Sequence, residues 1–255
     1  MRRNYKLTVS YDGTRYQGWE HQPDTEMTIQ GKLETVLTGM LAAERGEGVP
    51  VEKLTVIGAG RTDAGVHARA MVCNVLLDTA KDEAAVQAYL NRYLPEDISV
   101  NSVKHCADRF HSRFKATGKV YRYTCWCADA KPVFDRRYVT VLDEMPDIER
   151  MRAAAALLKG MHDFRSFCGN SRMSKSTVRT LYDIRIEKSG GYVRFYFHGN
   201  GFLQNMVRIL VGTLLETGYG RREPEEMTDL LEAGNRRLAG FTAPAKGLCL
   251  MKVEY

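Results

Sequence analysis

The stretch "GAGRTDAGVHARA", residues 58–70, joins two runs that read as strands, "KLTVIG" (53–58) and "ARAMVCNVLLD" (68–78). It is too rich in glycine and alanine for an ordinary surface loop and too charged for a core strand. A dinucleotide loop needs G-x-G-x-x-G. Gly58 and Gly60 supply two glycines, but Asp63 stands where the third belongs, and a carboxylate there repels a pyrophosphate. The G-x-x-x-x-G-K-[ST] phosphate loop is absent. Asp63 and His67 make two of the three or four ligands a metal needs, and no third lies nearby. Two readings stay open on this fragment. One is a lone catalytic carboxylate whose small neighbours admit a bulky planar substrate. The other is a plain turn in which Arg61 and Asp63 form a surface ion pair, since "TDAG" is good turn chemistry.

Working outward, strand and helix patterns alternate. "YKLTVSY" (5–11) alternates apolar and polar residues, and "DGT" follows as a turn. "TIQGKLETVLTGML" (28–41) has helical spacing of Ile29, Leu33, Val36, Leu37, Met40 and Leu41, with Thr28 as its cap. Asp82 starts a second helix that ends near Pro95, and "ISVNSVK" (98–104) and "RFHSRFKA" (109–116) are strand-like. Further on, "KVYRYTCWC" (119–127) is a strand and Asp147 begins a helix stopped by Gly160. "TLYDIRIEKS" (180–189) and "YVRFYFHG" (192–199) form a hairpin about Ser189, Gly190 and Gly191. "LQNMVRILVGTLL" (203–215) carries the strongest apolar stripe, "EPEEMTDLLEAG" (223–234) is a short helix, and "GLCLMKVEY" (247–255) closes as a strand. The strands show the two-sided polarity of antiparallel sheets. The expected class is α+β, with helices stacked on one face of a mainly antiparallel sheet. The expected halves are 1–108, which carries the aspartate loop, and 109–255. No internal repeat proves them related.

The 255 residues hold 44% hydrophobic and 27% charged residues, an ordinary globular balance. No run approaches the ~18 apolar residues of a membrane span. Behind Arg2 and Arg3 there is no apolar segment of the kind a signal peptide needs, so a cytoplasmic protein is expected. Six scattered cysteines form no CxxC pair and read as reduced thiols. The net charge of +6 is compatible with nucleic acid. Arg109, Arg113, Lys115 and Lys119 form one basic run, and Arg165, Arg172, Lys175, Arg179 and Arg185 another. "FCGNSRMSKSTVRT" (167–180) combines hydroxyls and cations with no carboxylate, which suits phosphate contacts.

"GAGRTDAGVHA" resembles the signature of the bacterial tRNA pseudouridine synthases of the TruA family. So do "YDGTRYQGW" (11–19), "LPEDISV" (94–100), "FHSRFKATGKVYRY" (110–123), "HDFRSFC" (162–168), "VRTL" (178–181), "GFLQNMVRILVGTL" (201–214) and "FTAPAKGLCL" (241–250), in the family's order and over almost the whole chain. The resemblance implies two related α+β halves that form one mainly antiparallel sheet with a basic cleft between them. It implies isomerisation of uridine to pseudouridine at positions 38, 39 and 40 of the tRNA anticodon stem-loop, by a homodimer, with no cofactor and no metal. The chain departs from the family at Arg69, Ala70 and Met71, where a glycine and a glutamine are usual, and at Glu20, where glutamine is commoner.

The resemblance also assigns roles. Asp63 is the catalytic carboxylate, acting as nucleophile or base. Arg208 of "NMVR" pairs with it and keeps it ionised and aimed. Its place on the shoulder of the apolar stripe is consistent with reaching inward. Tyr121 stacks on the target base and assists proton removal at C5. Tyr123, two residues along the same strand face, suits a core position. Arg61 helps extrude the base or holds a phosphate, and Leu248 and Leu250 line the uracil pocket. His67 meets the RNA backbone or serves as a structural histidine, while Arg172, Lys175 and Arg179 contact phosphates. The rival readings are a non-catalytic tRNA-binding module, a family member retargeted to other uridines, and a metal-dependent hydrolase.

Overall fold

Helix starts are set by short polar side chains that accept orphan backbone amides. In the computed structural model, which describes residues 2–46, 49–170 and 172–255, Thr28 Oγ1 accepts from Gly31 N at 3.1 Å and Asp82 Oδ1 from Ala85 N at 2.8 Å. Asp147 Oδ1 accepts from Glu149 N at 2.9 Å and Arg150 N at 3.1 Å. All three are the residues at which the sequence pattern starts a helix. The elements, in chain order, are β1 (Arg3–Tyr11), α1 (Ile29–Arg45), β2 (Ile57–Gly58), β3 (His67–Leu77), α2 (Glu83–Tyr93), β4 (Ile98–His105), β5 (Gly118–Trp126), β6 (Thr140–Val141), α3 (Ile148–Leu157), β7 (Gly160–Asp163), β8 (Val178–Ser189), β9 (Tyr192–Gly199), α4 (Met206–Gly218), α5 (Glu226–Ala233) and β10 (Leu248–Glu254). The class is α+β; β1–β3, β1–β4, β2–β3, β5–β9, β7–β8 and β8–β9 pair antiparallel, and β6 runs parallel to β5.

The chain divides into two compact units, Met1–Ala116 with Leu250–Tyr255, and Thr117–Cys249. In the first, the strand order is β4-β1-β3-β10, with β2 on β3. β1 buries alternate residues, including Tyr5, Leu7, Val9 and Tyr11. β3 buries both faces over 71–75, as a strand covered on both faces of the sheet does. Ile29, Leu33, Leu37, Met40 and Leu41 form the buried stripe of α1. In the second unit the order is β5-β9-β8-β7, with β6 on β5. Gly190, at φ +58°, turns the β8–β9 hairpin. β9 buries Val193, Phe195 and Phe197, and α4 is buried almost all round, from Met206 to Gly218. A helix with no solvent face is a core element, so the single stripe expected for it was too narrow.

Three other expectations are corrected. Only Ile57–Gly58 of the run 53–58 is a strand. Just before it, the Val56 amide is taken by Glu34 Oε1 of α1, at 2.9 Å, and not by a neighbouring strand. The run 109–116 is a series of turns. His111 Nδ1 accepts from the amides of Arg113 and Phe114, and Lys115 N donates to His111 O at 3.0 Å. These local bonds outcompete a ladder for a run with strand-like alternation. α4 begins at Met206 and not Leu203, because Asn205 adopts a left-handed conformation, φ 58° and ψ 3°. The short strands β6 and β7 carry no period long enough to be seen in sequence.

Candidate active site

Asp63 opens a tight turn. Its carbonyl accepts from Val66 N at 3.1 Å, and Gly65 takes φ +77° at the third position, which favours glycine. The turn is held from behind by the segment 11–19. Gly65 N donates to Tyr16 O at 3.2 Å, and Trp19 N donates to Thr62 O at 3.1 Å. Tyr11 OH and Thr62 Oγ1 are 2.8 Å apart. Two glycines permit the approach. A Cβ on Gly13 would lie 2.0 Å from Val66 O, and one on Gly18, at φ +102°, 2.7 Å from Thr62 O. Gly58 leaves a notch for the buried Trp19 indole, which a Cβ there would meet at 2.5 Å.

A second layer fixes the segment 11–19 itself. Asp97 Oδ2 accepts from Arg15 Nε at 2.5 Å, and its Oδ1 accepts from Arg15 Nη2 at 3.0 Å and Tyr16 OH at 2.6 Å. Burial, and then the bond to Asp97, push the Tyr16 phenol up to about 12. Asp97 lies 82 residues from Arg15, and nothing in the sequence pattern joins them. The result is a relay from Asp97 through Tyr16 to Gly65 that sets the loop.

His67 is buried. Its Nδ1 accepts from Gly13 N at 3.0 Å, and the same nitrogen lies 3.2 Å from Asp12 Oδ1. Arg61 is exposed, with its guanidinium on the Glu20 carboxylate. Asp63 is half-buried.

In the second unit, Tyr121 lies on β5 opposite Phe197 and is 7% exposed. Phe202 meets its ring edge-on, with centroids 5.0 Å apart at 81°. Tyr123, on the same face, is fully buried. Its hydroxyl donates to Pro244 O at 2.8 Å and lies 2.6 Å from Thr140 Oγ1. Burial pushes its phenol well above the ordinary tyrosine value. Tyr123 therefore holds the core position expected of it.

Arg208 is half-buried in the first turn of α4. Its Nε donates to Ala243 O at 2.7 Å and its Nη1 to Asn205 Oδ1 at 3.2 Å. Ala243 N returns a bond to Arg208 O at 3.1 Å. The strap 239–243 lies directly on α4 because Gly212 lets it: a Cβ there would fall 1.9 Å from Phe241 O. Among the described residues Asn205 is the one non-glycine with positive φ, and asparagine tolerates that region best. Gly169 makes room for it, since a Cβ there would meet Asn205 Nδ2 at 2.6 Å. Sequence reading did not single out Asn205, although "NMVR" contains it.

Leu248 and Leu250 are buried at the start of β10. Arg172 and Lys175 are exposed in the loop 168–177, of which residue 171 lies outside the described residues. Arg179 is half-buried; its Nη1 donates to Ser176 O at 2.9 Å and Val178 O at 2.6 Å, and burial lowers its pKa from the ordinary arginine value. Among the described residues no group of three His, Cys, Asp or Glu is arranged to hold a metal, and no helix is long and apolar enough to cross a membrane.

Comparison with known proteins follows the same blocks. A profile of the tRNA pseudouridine synthase family matches residues 7–115 and 154–255. The chain is 44% identical over 252 residues to tRNA pseudouridine synthase A of Bacillus sp. (strain KSM-64), covering 99% of each chain. It is 42% identical over 253 residues to tRNA pseudouridine synthase A of Clostridium kluyveri, covering 99% of this chain and 100% of the relative. It is 40% identical over 253 residues to tRNA pseudouridine synthase A 2 of Clostridium perfringens, with the same coverage. Among solved structures, a Cbf5-Nop10-Gar1 complex aligns at a TM-score of 0.38 and 14% identity, over 96% of this chain and 48% of that one, too slight a likeness to support any inference. Matched by the profile over most of its length and by such relatives from end to end, the chain belongs to the tRNA pseudouridine synthase family.

Proposed function

We propose that this isomerase converts uridine to pseudouridine at positions 38, 39 and 40 in the anticodon stem-loop of tRNA, with Asp63 as its catalytic carboxylate. The observation that carries the reading is the half-buried Asp63 in a glycine-clamped turn, within a chain matched along its length by family relatives. The reaction breaks the bond from uracil N1 to ribose C1′ and joins C1′ to C5 of the same base. Oxidation state is unchanged, so one carboxylate can act without a redox partner or an energy source. Arg208 is the guanidinium assigned to keep that carboxylate ionised, and the Ala243 and Asn205 bonds restrict its stem. Tyr121 is assigned to stack on the base and Leu248 to line the uracil pocket. Flipping a paired uridine costs a few kcal/mol, and Arg61, Arg172, Lys175 and Arg179 are assigned the phosphate contacts that offset it. Buried His67 serves this reading by holding Gly13 against the loop and not by reaching solvent. The test is tRNA tritiated at uridine C5. The protein releases tritium with EDTA present, and mapping of the product finds pseudouridine at 38, 39 and 40. Modification elsewhere would make it a retargeted member, and no release would refute the activity.

We further propose that it works in the cytoplasm as a homodimer. The segment 133–141 exposes Val133, Phe134, Tyr138 and Val141, with Phe134 at 93%. Trp126 Nε1 donates to Ala130 O at 2.7 Å, Arg136 Nη1 to Val133 O at 2.6 Å and Tyr138 N to Asp135 O at 2.7 Å, so the loop is braced. A braced loop with a cluster of exposed apolar side chains suits burial against a second subunit. Phe134→Asp is expected to weaken dimerisation at least about tenfold by sedimentation equilibrium. An unchanged dimer would remove this surface from the interface.

A further inference from the structure

The partner that the structure gives Arg61 is Glu20. The pairing is not the chance meeting of two loose side chains. Trp19 N donates to Thr62 O at 3.1 Å, so residues 19 and 62 are pinned side by side, and Glu20 and Arg61 adjoin that pair. Behind Glu20, Gln30 N donates to Trp19 O at 2.9 Å and His21 N donates to Gln30 Oε1 at 3.0 Å. The Trp19 indole fills the notch at Gly58. Beyond Arg61, Ala59 N donates to Val72 O at 2.7 Å. Both backbones are thus fixed beside Thr62, the residue before Asp63, while both side chains stay in contact with solvent, 59% exposed for Arg61 and 45% for Glu20.

We infer that Glu20 is a positioning residue that occupies Arg61 in the free protein as a stand-in for an RNA phosphate, and that RNA binding exchanges one anion for the other. The inference rests on the reading of Arg61 as an RNA-contacting residue. A carboxylate and a phosphate offer a guanidinium the same two-oxygen acceptor geometry. Held by Glu20, Arg61 does not collapse onto the Asp63 loop and is kept aimed outward. Because the pair is exposed, it is weak enough to be displaced by an RNA that brings a phosphate to that point. An RNA that does not reach Arg61 leaves the Glu20 carboxylate facing its backbone, which repels it.

The experiment is a double-mutant cycle on Glu20→Gln and Arg61→Met, with Glu20→Asp as the charge-retaining variant. Each protein is assayed for KM and kcat by tritium release and for tRNA Kd by filter binding. Glu20→Gln is expected to lower KM and Kd about two- to fivefold, with kcat within about twofold. Glu20→Asp is expected to stay near wild type. In the Arg61→Met background, Glu20→Gln is expected to change nothing, since there is no guanidinium to release. Equal tightening in both backgrounds would show that Glu20 merely repels RNA, and no tightening in either would show that the pair does not compete. Either result overturns the inference. A wild-type protein that released no tritium would refute the proposed activity, while the four Kd values would still decide the exchange.

Discussion

Replacing Asp63 by asparagine or alanine is expected to abolish tritium release from uridine C5, lowering kcat by about 10⁴-fold or more. Asparagine keeps the shape and the main chain of the turn, whose closing bond runs from Val66 N to the Asp63 carbonyl and not to its side chain. The Tyr16–Gly65 and Trp19–Thr62 bonds are also main-chain bonds. The loop should therefore form in the variant, and tRNA affinity should stay within about tenfold because the proposed phosphate contacts are made by other side chains. On the proposed reading, what is lost is a carboxylate oxygen that serves as nucleophile or base, for which an amide is no substitute. Single-turnover tritium release with excess enzyme reads the chemical step directly. Turnover by Asp63→Ala within about tenfold of wild type would sink the mechanism.

Gly13→Ala is expected to cripple the enzyme without touching any group assigned to the chemistry. The new methyl would sit 2.0 Å from Val66 O and 2.7 Å from Val66 C, both backbone atoms. No side-chain rotation relieves such an overlap, so the segment 11–19 and the Asp63 turn must separate. Separation also strains the Gly13 N to His67 Nδ1 bond. A displacement of about 1 Å at a reacting group costs on the order of 10²-fold in kcat, and overpacking of this kind costs about 1–3 kcal/mol of stability. Gly190→Ala is the control. It has a positive φ, +58°, which Gly13 lacks, but nothing lies within 4 Å of its added Cβ. It should lose only about 1 kcal/mol through backbone strain, with kcat unchanged. Urea denaturation and tritium release together check both variants. A Gly13→Ala enzyme with wild-type turnover would mean that the loop is not held from behind by this segment.

Local signals were legible where a helix-capping side chain or a turn glycine decides a structure. Thr28, Asp82 and Asp147 mark helix starts because a short polar side chain is needed there. Gly190 marks a hairpin because its φ is positive. Long periodic strands and the helix α1 were legible for the same reason, each reporting its own buried face. The failures share a cause as well. The run 109–116 alternates like a strand but spends its amides on His111, and the run 53–58 loses the Val56 amide to Glu34 of a helix. In both, the competing partner is a side chain whose position in space the pattern does not encode. The turn reading and the site reading of residues 58–70 were not alternatives. Asp63 does begin a turn, but Arg61 pairs with Glu20 and not with Asp63, and on the proposed reading the turn is what presents the carboxylate.

By itself, the sequence determined the class, the helix caps, the hairpin and the family, because these rest on residue types at fixed spacings along one strand of chain. It also named Asp63, Tyr121 and Arg208 as the residues to test. Only the tertiary structure decided that residues 250–255 join the first unit and that Asp97, far along the chain, steadies Tyr16 behind the Asp63 loop. It alone decided that Arg61 rests on Glu20, and that Gly13 and Gly18 exist to let two backbones touch. The physical reason is the same in each case. These facts depend on close approach between segments remote in sequence, and side-chain periodicity records which face of an element is buried but not what it is buried against.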